Sequence, residues 1–317
     1  MTDFPMRRRG LLGLIAALPI FGRCADAGPP SFQLVPALQA GQQWCFAFER
    51  KAVRDGSVMH WYRAPLHVRV LDADADGALL HWVEGEQAIV DAHPQRRALL
   101  ELGLAAMRDV PLQLRVDAAG RVQSLANAAQ VRQSCLGLMD AAFAQLGADP
   151  AKRAVAEAML PALKAAYASD AMVTTATLRE PMLLLGAMGR RFGADEPVQF
   201  RTALANPLGG EPIPAIARFA IRGVQPRSQR AELGWLMVSD PVATSAVAEA
   251  AVDHAARVAN AATGDDPQAL AMPAITLEER GDYIVDTATA WPARVTHART
   301  VRAGATAQVD STSFSLA

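Results

Sequence analysis

The chain has 317 residues, with 31 Lys and Arg against 32 Asp and Glu, giving a formal net charge of −1 at pH 7. So even a balance gives no field to steer nucleic acid or anionic lipid, and no basic run occurs after the first ten residues. With 51% hydrophobic residues the chain can bury a sizeable core, as one large domain or two small ones.

The N-terminus reads as a secretion leader. Met6-Arg7-Arg8-Arg9-Gly10 is a basic segment, Leu11 to Phe21 is apolar, and Ala25-Asp26-Ala27 has the small-x-small pattern of signal peptidase sites. Cleavage is therefore expected after Ala27, leaving a single domain over 28–317. The apolar stretch is about half of the roughly 20 residues that a membrane span needs. Later apolar runs are broken by charge, Pro or Gly, so no transmembrane segment is expected. Arg8-Arg9 resembles a twin-arginine export signal. Cys24 offers lipidation as an alternative fate, but Arg23 stands where such sites carry Gly, Ala or Ser.

After a Pro-rich segment, strands are expected at about 42–52, 58–71 and 78–90. Leu66, Val68 and Val70 alternate with His67 and Arg69, the period of a sheet with one solvated side. Pro94 opens a helix to about Arg108. Residues 111–117 form a strand, Ala118-Ala119-Gly120 a turn, and Arg121-Val122 a second strand. The middle, 127–190, reads as helical. Asn127 can cap a helix whose stripe is Val131, Cys135, Leu138, Met139, Ala142, Phe143 and Leu146. Strands return at about 197–204, 214–223 and 230–238, and Asp240-Pro241 starts an Ala-rich helix to about Gly264. Further strands are expected at 274–279, 282–288, 292–302 and 306–316. Segments 66–82 and 219–235 are each a strand, a polar hairpin and a strand ahead of a Pro-initiated helix. Halves of about 41–126 and 197–317, arranged around helices 127–190, thus have the look of a duplicated unit.

Chemistry-bearing motifs are incomplete. Asp72-Ala73-Asp74-Ala75-Asp76-Gly77 matches the start of a calcium loop, but position 12 is Val83 where a bidentate Glu is required, so a polar hairpin turn is expected. The histidines (His60, His67, His81, His93, His254 and His297) form no metal-ligand spacing, and His60, His67 and His81 are assigned to a solvated strand face. No nucleophile elbow or phosphate loop occurs. No catalytic residue, metal ligand or cofactor is therefore expected. Beyond the leader only Cys45 and Cys135 remain. Alternation puts Trp44, Phe46 and Phe48 on one face of their strand and Cys45 on the other, so two separate thiols are favoured over a disulfide.

Val116-Asp117-Ala118-Ala119-Gly120-Arg121-Val122 before a capped helix, and Tyr283 through Pro292 near the end, resemble segments of exported proteobacterial envelope proteins built on curved antiparallel sheets. Lipoprotein-carrier half-barrels are the relatives in shape. The resemblance implies an architecture and transfers no functional residue. The expected fold is α+β, a curved antiparallel sheet like a half-barrel packed on the helical middle. The expected function is non-enzymatic: a periplasmic or otherwise exported protein that binds a hydrophobic small molecule or an envelope protein. Trp44, Phe46, Phe48 and Trp82 are the candidate ligand-lining residues. The alternative is a periplasmic hydrolase whose site local motifs do not reveal.

Overall fold

The computed structural model describes residues 31–317, except 109, 194–196, 205–212, 251–252, 254–274 and scattered positions within 151–166. The expected leader, Cys24, His254 and the end of the Ala-rich helix lie outside the described residues. The strands are β1 (Phe32–Gln33), β2 (Gln43–Arg54), β3 (Ser57–Ala73), β4 (Gly77–Glu84), β5 (Ala88–Ala92), β6 (Leu112–Asp117), β7 (Val122–Leu125), β8 (Arg191–Phe192), β9 (Val198–Leu204), β10 (Ile213–Gln225), β11 (Arg230–Ser239), β12 (Ile275–Asp286), β13 (Pro292–Ala303) and β14 (Thr306–Leu316). The helices are α1 (Pro94–Met107), α2 (Ala128–Gly147), α3 (Asp170–Thr177), α4 (Arg179–Leu185) and α5 (residues 241–250).

Twelve strands form one open, curved antiparallel sheet in the order β7-β6-β4-β3-β2-β14-β13-β12-β11-β10-β9, with β5 alongside β3; β1 and β8 pair separately. The fold is a sheet-dominated α+β architecture. Strands β2, β3 and β4 are followed by the short β5, by α1 and then by β6, which pairs with β4. Strands β9, β10 and β11 are followed by α5 and then by β12, which pairs with β11. The β2–β14 pairing joins the halves into one sheet.

Three sequence expectations need correction. The strand expected at 78–90 is two: Gly85 donates to the Pro65 carbonyl at 2.7 Å, and the chain then returns to β3 as β5. The strands expected at 274–279 and 282–288 are one, β12, which runs through Gly281. Gly281 is not a turn. A Cβ there would meet the Thr296 carbonyl oxygen at 2.8 Å, so the position needs Gly for close strand approach. Asn127 does not cap α2 with its side chain. Its Oδ1 accepts from the Gln113 amide and its Nδ2 donates to the Pro111 carbonyl, which ties the helix start to β6. Asp240, by contrast, caps α5 as expected, accepting from the amides of Val242 and Ala243 at 2.9 Å.

One face of the sheet is apolar over most of its width and is covered by the helices. Phe46 and Phe48 of β2, Leu66 and Val68 of β3, Trp82 of β4, Phe314 of β14, Val295 of β13, Tyr283 of β12, Leu233 of β11 and Phe219 of β10 join a single core cluster. From the helices, Val131, Val173, Leu183, Leu184 and Leu185 enter the same cluster. Helix α4 is pinned to the sheet by the Tyr283 hydroxyl, which donates to the Leu183 carbonyl at 2.8 Å. The opposite face carries Arg63, His67 and Arg69, all exposed.

Candidate functional site

The four sequence-selected lining residues sit on the covered face. Phe46, Phe48 and Trp82 are buried, and Trp44 is half-buried with its ring stacked on Trp291 at 3.6 Å between centroids. Phe314 links Phe48 and Trp82, with ring centroids 5.2 and 6.1 Å away. They are core residues facing the helical cover, and neither groove described below is lined by them. Cys45 and Cys135 are free thiols, each half-buried.

The covered face also holds a polar band that local motifs did not reveal. Residues opposite each other on adjacent strands point to the same face. In one transverse row, Trp235, Gly281, His297, Thr312, Arg50 and Tyr62 follow one another across six strands. The next row is Met237, Glu279, Arg299, Asp310, Ala52 and His60. On the other side lies an apolar row of Leu233, Tyr283, Val295, Phe314, Phe48 and Ala64. His60 therefore faces the covered side, opposite buried Ala52, and not the solvated side expected for it.

Within the band, Glu279 is the best-satisfied charge. His297 Nε2 lies 3.0 Å from its Oε2, and Arg299 Nε donates to its Oε1 at 2.5 Å. Because a carboxylate only accepts, the His297 proton must sit on Nε2. Burial alone would raise the Glu279 carboxyl; the hydrogen bond from His297 and the charge of Arg299 outweigh it and hold the group at about 2. The first two residues of α4 reach in from above. Glu180 Oε1 lies 3.0 Å from Arg50 Nη1 and 3.8 Å from Arg179 Nη1. Burial, then the like charge of Arg299, lower the Arg179 guanidinium from its usual range. Burial raises the Glu84 carboxyl, opposed by a hydrogen bond from Gln87 and reinforced by nearby Glu180.

Several of these groups have no protein hydrogen-bond partner: Gln87 Oε1, Arg179 Nε and Nη2, Glu180 Oε1, Trp235 Nε1, His297 Nδ1 and Thr312 Oγ1. For Glu180, the Arg50 contact is close enough for an ion pair but its angles do not make a hydrogen bond. A buried polar group without a partner costs about 1–3 kcal/mol, so the band is where the fold is least satisfied. Thr312, His297 and Glu279 have the side-chain types of a nucleophile–base–carboxylate triad. They do not form one: Thr312 Oγ1 makes no hydrogen bond to His297, and the three residues are 2%, 3% and 5% exposed.

The solvated face has a groove of about 410 Å³ floored by Thr296, Ala298, Ser311 and Ser313. Glu49 bounds it on one side and the Arg222–Asp282 ion pair on the other. A second, of about 450 Å³, lies beside the Asp72–Gly77 turn. There Asp74 Oδ1 accepts from the amides of Asp76 and Gly77 at 2.8 and 3.0 Å, the bonding of a hairpin turn. Among the described residues no group of three His, Cys, Asp or Glu could hold a metal ion, and no helix is long and apolar enough to cross a membrane.

The polar band escaped sequence reading because each strand contributes one or two residues to it. A signal was nevertheless present. Arg50 falls in phase with Phe46 and Phe48, and His297 and Arg299 fall in phase with Val295 and Val301, so charged groups interrupt otherwise apolar strand faces.

No family model and no curated protein matches the sequence. Among solved structures, a chain from a study of lipid–protein interactions in lipovitellin is similar, with a TM-score of 0.39 and 6% identity. That match covers 88% of this chain and 25% of the other, so the chain spans about a quarter of that protein's length.

Proposed function

We propose that the protein is an exported binding protein of the cell envelope, without chemistry of its own, which takes a hydrophobic ligand between its sheet and its helical cover. One observation carries this reading: the two sides of the core are unequally closed. The sheet side is sealed, with Phe46, Leu66, Val70, Leu114, Val295 and Phe314 at 0% exposure. On the helical side Leu100, Leu104, Leu138, Met139 and Phe143 stay only half-buried, and α2 buries only Val131 and Ala142 among its described side chains. A cover that incompletely buries its own apolar stripe gains surface burial from a ligand, at about 25 cal/mol per Å² of apolar area removed from water.

Two measurements test the reading. Native mass spectrometry of protein taken gently from an envelope fraction should show a bound apolar small molecule. The neutral fluorophore N-phenyl-1-naphthylamine should bind saturably and be displaced by that molecule, with binding weakened in Met139→Asp. A ligand-free mass together with non-saturable fluorescence would defeat the binding reading. Ester hydrolysis that His297→Ala abolishes would replace it with the hydrolase alternative. For export, the mature N-terminus should be Gly28, and a diacylated Cys24 would instead make the protein a lipoprotein.

A further inference from the structure

Of the eight buried side-chain nitrogens and oxygens without a hydrogen-bond partner among the described residues, all but Trp61 Nε1 belong to the polar band or its immediate neighbours. The two on Arg179 have a particular geometry. Nε–H and Nη2–H form one edge of the planar guanidinium, two parallel donors spaced to meet both oxygens of a carboxylate or two of a phosphate. Here both atoms are sealed from solvent and neither donates to the protein. The nearest carboxylate, Glu180, lies on the other terminal nitrogen, Nη1, at 3.8 Å.

We propose that this edge of Arg179 receives the oxyanion headgroup, carboxylate or phosphate, of an amphiphile whose apolar chain lies along the adjoining row from Tyr283 to Phe48. The proposal rests on the hydrophobic-ligand reading above and names the ligand class. Its position fits. The band borders the apolar row strand by strand, and α4, which carries Arg179, is tied to that row where the Tyr283 hydroxyl donates to the Leu183 carbonyl. The charged side chains at its surface keep a route to water, with side-chain exposures of 34% for Arg50, 27% for Arg299 and 19% for Arg179. Selection comes from the fork and not from net charge, since Glu180, Glu279, Asp310 and Glu84 face the three guanidiniums. Glu279 is already committed to His297 and Arg299, and Asp310 accepts from Gln308. Arg179 is the cation left with a free pair of donors. Thr312 Oγ1 and His297 Nδ1 stand in the same band as further hydrogen-bonding groups without partners.

The test uses the whole protein and four probes: dodecanoate, dodecyl phosphate, 1-dodecanol and inorganic phosphate, each titrated by displacement of the neutral fluorophore or by calorimetry. The two anionic amphiphiles should bind about ten- to hundredfold tighter than 1-dodecanol, the range for hydrogen bonds to a charged group. Arg179→Gln should remove that advantage and leave 1-dodecanol unchanged. Arg179→Lys, which keeps the charge but not the fork, should retain only part of it, and it serves if the Gln variant fails to fold. Equal affinity for all three chains overturns the headgroup site while the hydrophobic reading stands. Inorganic phosphate bound through Arg179, with no chain bound, supports the oxyanion site and defeats the hydrophobic reading. Absence of binding by every probe overturns both.

Discussion

Glu279 is 5% exposed, yet its carboxyl is held at about 2 because His297 and Arg299 both bond to it. A carboxyl whose folded pKa lies below its unfolded value adds stability that is fully present above the unfolded value. That stability is lost as the pH falls through the folded one. The window therefore runs from the ordinary glutamate value of 4.5 down to about 2. At neutral pH the linkage amounts to on the order of 3 kcal/mol. Glu279→Gln should lower urea stability by about that much at pH 7, and the gap to the parent should shrink as the pH falls through this window. A gap that stays constant over the window would show that the His297–Arg299 pairing does not hold this carboxylate. None of this was legible around Glu279 itself. Glu278-Glu279-Arg280 reads as a solvated charge run, and only pairing with β13 turns its middle residue toward His297 and Arg299.

Strand β2 shows what alternation does settle. Trp44, Phe46 and Phe48 face the cover, while Glu49 on the other face pairs with Arg63 at 2.6 Å. Phe46→Ala should cost about 3–5 kcal/mol in urea denaturation, as for a buried aromatic truncated to a cavity. Glu49→Ala should stay within about 1 kcal/mol, the worth of an exposed ion pair. Equal losses at the two positions would mean that both faces of β2 are buried. The same element shows where alternation stops being informative. Arg50 is in phase with the aromatics, and it becomes intelligible only when α4 brings Glu180 to it from above.

At the scale of the molecule, the seam between β2 and β14 matters most. It joins strands 43–54 and 306–316, so elements near both ends of the described chain depend on one ladder. Phe314 sits on that seam, fully buried and packed against Phe48 and Trp82. Phe314→Ala should therefore loosen both halves together. Amide hydrogen exchange should quicken by similar factors in β3 and in β12, because a shared core opens as one cooperative unit. Faster exchange in β12 and β13 with β3 unchanged would show that the halves are independently stable.

The amino-acid sequence by itself determined the sheet-rich ends, the helical middle, the buried face of β2 and the cap at Asp240. Each depends on interactions within a few residues: period-two alternation, an apolar stripe at helical spacing, an Asp before a Pro. Only the tertiary structure decided the run of β12 through Gly281, the return of the chain as β5, and the inward side of His60. It alone assembled Arg50, Arg179, Glu279, His297 and Thr312 into one band. Those outcomes depend on which strands become neighbours and in what register. That choice is made by burying the whole sheet face at once, so no window of a few residues contains it.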